Sequence, residues 1–255
     1  MKHFVLTIII SCLTLQVFSQ AISTDRPDLT ESYFTVPRNG LQIETGYTFE
    51  EISNNQIKTH TYNSTLLRYG VTDNFELRYN IAYLHEMGTG SNTIDNKGIG
   101  DMEIGFKMSA FEQDRFIPAL SFLFHVVLPV GDSNFSPSKS EPLFKLIGGW
   151  EFAKGNSLSY NLGVLWPDGT DEVDYDVSIA YSHPIIKDKL SLYVEYFETY
   201  NGDTDTIERN CDGGFTYLVK DNFQLDLSAG VNLKGFGRGY FISAGFSYLL
   251  DLKKR

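Results

Sequence analysis

Cysteine is nearly absent from this chain: Cys12 and Cys211 are the two in 255 residues. Cys12 falls in the N-terminal leader, so the processed chain has no internal disulfide and no cysteine set for a metal. Long apolar runs are also missing after the leader. A helix needs about 20 apolar residues to cross a bilayer, so helical spanning is excluded. Runs rich in Ala and Leu, which would favour helices, are lacking as well. There is no Gly-x-Ser-x-Gly elbow, no His-Glu-x-x-His pair, and no nucleotide or energy-coupling motif. Bases are the minority charge, 21 Lys and Arg against 32 Asp and Glu, for a net charge of -11. An acidic chain lacks the electrostatic footprint of a nucleic-acid binder, and no cofactor is implied.

What is present is alternation. Phe75, Leu77, Tyr79, Ile81 and Tyr83 alternate with Glu76, Arg78, Asn80 and Ala82. The same period of two runs through Met102, Ile104, Phe106 and Met108, and again through Phe223, Leu225, Leu227, Ala229 and Val231. Such a strand has one apolar and one polar face. Candidate strands cover 40–52, 57–70, 75–86, 99–111, 116–129, 141–153, 157–167, 173–184, 190–202, 208–219, 223–234 and 239–250. Twelve strands of this length predict an all-β fold, a transmembrane up-and-down antiparallel β-barrel. Mean hydropathy misses such proteins because only alternate residues meet lipid. Aromatic residues gather at strand ends, as interfacial girdles require.

Connections sort into two kinds. Thr72-Asp73-Asn74, Glu112 to Arg115, Lys154-Gly155-Asn156, Ile186 to Lys189 and Lys220-Asp221-Asn222 are tight turns. Met87 to Gly98 and Val130 to Ser140 are longer. Short turns face the periplasm and long loops the exterior, which puts both ends of the barrel on the periplasmic side.

Residues 1–19 read as a secretory signal peptide: Lys2 and His3 precede an apolar run from Phe4 to Leu15, with cleavage after Ser19 or Gln20. Ile9-Ile10-Ser11-Cys12 also looks like a lipoprotein box that would acylate Cys12. Its apolar core of about eight residues is short for that role. Residues 20–39 are then a periplasmic lead-in, and 40–255 the barrel.

The lead-in holds the one local motif, Thr24-Asp25-Arg26-Pro27-Asp28-Leu29-Thr30-Glu31-Ser32, followed by Gly40-Leu41-Gln42-Ile43-Glu44-Thr45-Gly46. With this run and the hairpin layout behind it, the chain resembles the bacterial outer-membrane barrels of the phenol-degradation meta-pathway family. The resemblance implies an outer-membrane location in a Gram-negative cell and passage of small organic solutes. It brings no established binding residues. The chain departs from such barrels in ending Leu249-Leu250-Asp251-Leu252-Lys253-Lys254-Arg255, where an aromatic residue is usual, and Tyr248 is left to serve in assembly. The lead-in is expected to fold across or into the periplasmic mouth, with Asp25, Arg26 and Asp28 at its polar turn and Arg26 meeting a lumen carboxylate. A purely structural lead-in or a mobile tail is the alternative.

Parity assigns Glu44, His60, Arg68, Glu76, Arg78, Asp101, Glu103, Lys107, His125, Lys145, Glu151, Asp174, Asp176, Glu195, Asp226 and Lys234 to the lumen. Lumen side chains tune selectivity, so these are solute-path candidates, with Arg78, Lys107, Lys145 and Lys234 a possible ladder for an anion. Their competing reading is a network of ion pairs filling a narrow barrel. The function expected is a passive channel for small polar or aromatic organic solutes, with membrane lipid as the other partner. The alternatives are a structural barrel with a filled lumen and a barrel hydrolase. For the last, His125 is the best base available by position, and a Ser or Thr on a neighbouring strand, such as Ser109, its candidate partner. The acidic stretches Asp168 to Asp174 and Asp203-Thr204-Asp205 lack EF-hand spacing and read as solvated loops.

Overall fold

The computed structural model describes residues 21–52, 57–88, 93–234 and 239–254. The expected signal peptide, its cleavage site and Cys12 lie outside the described residues.

Thirteen strand segments follow one another: β1 (Gly40–Ile52), β2 (Ile57–Thr72), β3 (Phe75–Gly88), β4 (Ile94–Ile99), β5 (Met102–Phe111), β6 (Ala119–Leu128), β7 (Glu141–Glu151), β8 (Ser157–Leu165), β9 (Asp174–Ile186), β10 (Leu190–Asn201), β11 (Thr206–Lys220), β12 (Phe223–Lys234) and β13 (Gly239–Asp251). Neighbours pair antiparallel, and β1 pairs with β13 from Gly40↔Asp251 to Ile52↔Gly239, which closes the barrel. Both β4 and β5 lie against β3, one on each half of it (Tyr83↔Ile99 and Phe75↔Met108). They are therefore one span broken at Gly100-Asp101, and the barrel has twelve spans. Closure leaves no long unpaired edge, the condition for a sheet in lipid.

Four local expectations need correction. The span predicted to begin at residue 99 starts at Ile94, inside the stretch read as a loop. Its outward residues Asp95 and Lys97 are charged, with His85 Nε2 2.7 Å from Asp95, so no apolar face marked it as a strand. Beyond it the Asp101 carboxylate accepts the amides of Val130 and Gly131 at 3.1 and 2.8 Å and so pins the break. Asp101 is thus a loop anchor, not a lumen group. The strand predicted from 116 starts at Ala119, because Pro118 cannot donate to a ladder and Asp114 and Ile117 form an isolated bridge instead. His60 faces outward. Asn63 adopts φ 50° in a bulge that shifts the register between Tyr62 and Thr65, and one extra residue reverses all later parity.

Elsewhere parity holds. Leu227 is 52% exposed and Val177 50% on the outer wall. Rings of Tyr47, Tyr62, Phe49 and Tyr240 cluster toward the loop end and Phe223, Phe246 and Tyr248 toward the turn end, giving two belts at interfacial height. The interior is the reverse of a soluble core: its largest fully buried side chains include Arg68, Lys107, Gln42, Glu44 and Glu76.

Candidate functional site

Residues 21–39 lie inside the barrel, entering at the tight-turn end. The Ile22 amide donates to the Asp221 carbonyl at 2.7 Å on one side. On the other, Arg38 N donates to Asp73 Oδ1 at 3.1 Å and Thr35 Oγ1 to the Asp73 carbonyl at 2.8 Å. A tight turn through Asn39, with φ 60°, then feeds β1. Between these anchors the segment has no regular secondary structure, so its backbone must find partners on the wall.

Asp25 is the centre. Its carboxylate accepts Arg78 Nη1 at 2.6 Å, Lys107 Nζ at 3.0 Å and its own segment's Ser32 amide at 2.9 Å, with Arg68 Nη1 at 3.3 Å. Burial alone would raise this carboxyl. The charges of Arg68, Lys107 and Arg78 overcome it and hold Asp25 well below the usual carboxylate range. Around this core, Glu44 accepts the amides of Asp25 and Arg26 and an Arg68 hydrogen bond at 2.8 Å. Glu76 accepts Arg68 Nε at 2.9 Å, Arg78 Nη1 at 2.9 Å and the Val36 amide at 2.6 Å. Arg78 also pairs with Glu31 at 2.9 Å. Burying so many charges is tolerable only because each finds several partners.

Three further contacts fix the rest of the segment. Arg26 pairs with Asp226 at 2.8 Å and reaches Ser243 at 3.1 Å. Its guanidinium rests on Gly46 and Gly245, where any Cβ would collide with it. Glu195 accepts the amides of Leu29 and Thr30 at 2.9 and 2.6 Å, and the Thr30 hydroxyl as well. Tyr33 packs with Leu123, Ala119 and Ile147 in the one buried apolar cluster of the described residues.

The sequence candidates thus part company. Glu44, Arg78, Lys107, Glu195, Asp226, Asp25 and Arg26 meet in the docking of the segment, together with Arg68 and Glu76. Lys145 pairs with Asp176 at 3.5 Å on the lumen wall. His125 Nε2 accepts Arg78 Nε at 2.9 Å, while Nδ1 lies 3.5 Å from Glu103. With its lone pair taken by a guanidinium, His125 has none free for a hydroxyl. Ser109 stands opposite Ser121, and Gly105 opposite His125. Glu151 borders cavities at the turn end. Asp174 accepts the Gly202 amide at 2.9 Å at the loop end, and Lys234 is exposed there beside Arg209. No basic ladder forms. Parity could not have shown this, since it gives face and not height. Sequence reading missed Thr30, Glu31 and Ser32, whose signal was their place in the one local motif, and the inward glycines Gly46 and Gly245.

Space remains beside the segment. A cavity of about 320 Å³ opens at the turn end under Ser157, Ser159, Ser182, Ser191, Tyr193 and Thr216. Another, about 220 Å³, opens at the loop end between Glu50, Phe197, Glu208, Asn210, Asn232 and Phe241. Asp28, half-buried on the segment, faces this side. Burial first, and then the neighbouring Glu195 carboxylate, raise its carboxyl well above the usual range.

The family described as "Putative MetA-pathway of phenol degradation" matches residues 24–250. Among solved structures, the chain is similar to the COG4313 outer membrane channel from Pseudomonas putida F1 (TM-score 0.70, 14% identity, covering 86% of this chain and 98% of that one). It is also similar to the KdgM porin in complex with disordered oligogalacturonate (TM-score 0.55, 11% identity, 81% and 98% covered). These likenesses establish the outer-membrane barrel fold. No curated protein matches the sequence.

Proposed function

We propose that this chain, which belongs to the family described as "Putative MetA-pathway of phenol degradation", is a passive outer-membrane pore for small polar or aromatic organic solutes. Its signal peptide is residues 1–19, and its turn end faces the periplasm. The solute path lies beside the docked segment, not along the barrel axis. One observation carries this reading: the docked segment does not fill the barrel, and cavities of about 320 Å³ at the turn end and about 220 Å³ at the loop end remain along β8 to β13. A segment that served only to fill the barrel would leave no such space. The wall there is hydroxyl-rich with aromatic residues at the loop-end cavity, surfaces that suit small solutes with polar groups and rings. With no energy-coupling motif, a gradient must drive flux. The COG4313 and KdgM proteins are called a channel and a porin, in line with this role.

Purified full-length protein in planar bilayers is expected to give small, discrete conductance steps, and proteoliposomes to take up small solutes while excluding oligosaccharides. A correctly inserted barrel with neither conductance nor uptake would favour the filled structural barrel, the reading supported by the density of the ion-pair network.

A further inference from the structure

Tyr33 carries a group that docking of the segment does not use. Its ring packs on Ala119, Leu123 and Ile147 and lies 4.4 Å from the Phe34 ring. It rests over Gly149, where a Cβ would stand 2.7 Å from it. Its carbonyl accepts the Ser121 hydroxyl at 2.6 Å. The residue is 6% exposed, yet its own hydroxyl makes no hydrogen bond among the described residues and opens on the space at the turn end. A phenylalanine would fill the apolar niche equally well. A buried tyrosine normally finds a partner for its hydroxyl, so this one marks a place where something else supplies the contact.

The space it opens on is a cavity of about 400 Å³ between residues 33–37 and the β5–β6 turn, within the range of about 300–1,000 Å³ of small-molecule sites. Tyr33, Phe34 and Glu151 are common to it and to the turn-end cavity of about 320 Å³. Phe34, Pro37 and Ala119 give it apolar surface. Its charged groups are Asp73, Glu112 and Glu151, and no Lys, Arg or His lines it. Asp73 is committed to the Arg38 amide. The Glu112 and Glu151 carboxylates have no ion pair or hydrogen bond among the described residues. Gln113 bonds the backbone of Glu151 at 2.9 and 2.6 Å, which fixes the residue and leaves its carboxylate available. Burial, and then the Glu151 charge, hold the Tyr33 phenol above its ordinary value, so it stays protonated beside that carboxylate.

We propose that this cavity binds small aromatic amines in their ammonium form, with the ring against Phe34 and the ammonium between the Glu151 carboxylate and the Tyr33 hydroxyl. As a solute class for the turn-end mouth it rests on the pore reading above; as a binding site it does not. An ammonium donates hydrogen bonds and cannot accept them, so a carboxylate and a hydroxyl oxygen suit it. Ring faces attract it further. A carboxylate solute of the same shape would meet like charge with no base in the lining to offset it.

The test is isothermal titration calorimetry of full-length protein in detergent with 2-phenylethylammonium and with 3-phenylpropanoate, which matches its shape and reverses its charge. Tyr33→Phe removes the hydroxyl and keeps the ring. Glu151→Gln removes the charge and keeps the backbone bonds to Gln113. Asp188→Asn, an exposed charge on another turn at the same end, is the control. Each variant is checked for folding by heat-modifiable gel mobility. The amine is expected to bind the unaltered protein, and the propanoate at least about tenfold more weakly. Amine affinity should fall at least about fivefold in Glu151→Gln and at least about threefold in Tyr33→Phe, and stay unchanged in Asp188→Asn. Equal binding of the two probes overturns the site, with no variant needed. Full amine affinity in either folded variant overturns it as well. Bilayer conductance recorded on the same preparation separates the two readings. Conductance without amine binding overturns the site and leaves the pore standing, whereas amine binding without conductance overturns the pore and leaves the site.

Discussion

At the residue scale the segment's docking turns on Asp25, the segment's own carboxylate within ion-pair distance of Arg68, Arg78 and Lys107 together, a position matched on the wall by Glu76. Removing one partner of a buried charge set leaves the others uncompensated, which costs more than the pair itself contributes. Asp25→Asn keeps the shape and removes the charge. It is expected to weaken docking by roughly 3–5 kcal/mol, read as a lower urea concentration at which added protease first cuts the segment. An unchanged midpoint would mean that Glu44 and Glu76 satisfy the three bases alone. The same carboxyl sets the acid response. Its docked pKa is depressed, so its contribution is complete above the ordinary Asp value of about 3.9 and is lost only as pH falls toward the docked value. Protease resistance is therefore expected to persist from neutral pH to about pH 4 as far as Asp25 controls it.

At the element scale the two faces of each strand do different jobs, and neighbouring positions should respond unlike each other. Phe215 faces Leu227 across the β11–β12 pair, and Thr216 faces Asp226 on the next rung at similar depth. Leu227 points to lipid, while Thr216 borders the turn-end cavity. Arginine on the lipid face near mid-membrane costs roughly 2–4 kcal/mol and much less in a wet lumen. Leu227→Arg should therefore lower the unfolding midpoint in lipid vesicles well below that of Thr216→Arg. Equal losses would contradict the face assignment. The bulge in β2 shows the limit of this rule: counted back from Arg68 by simple alternation His60 would be inward, but the extra residue puts it in the outer aromatic belt beside Tyr47 and Tyr62.

At the scale of the whole molecule, the closed wall and its N-terminal segment form one unit. A barrel of this size lies between those that side chains fill and those that stand open, and here the chain's own segment occupies part of the difference. Proteinase K acting on folded protein is expected to leave residues 24–36 in place while it trims the exposed loops, because their backbone amides are bound to Glu44, Glu76 and Glu195. Rapid loss of those residues, followed by mass spectrometry of the intact remainder, would show the docked state to be a minor one.

The sequence by itself determined the barrel. Period-two alternation, tight polar turns at every second connection and aromatic strand ends all follow from local geometry and from the chemistry of lipid. They are written in neighbouring residues and can be read there. It also singled out the Asp25-Arg26-Pro27-Asp28 turn and gave Arg26 a lumen carboxylate as its expected partner, which Asp226 supplies at 2.8 Å. The break between β4 and β5 and the reversed face of His60 were out of reach, because one depends on a distant carboxylate and the other on a single extra residue. Only the tertiary structure decided which charges meet. Asp25 and Lys107 are 82 residues apart, and Arg26 and Asp226 are 200 apart. Parity fixes the face of a side chain, but its height in the lumen depends on strand tilt and register around the closed wall. Where each charge stands therefore belongs to the fold.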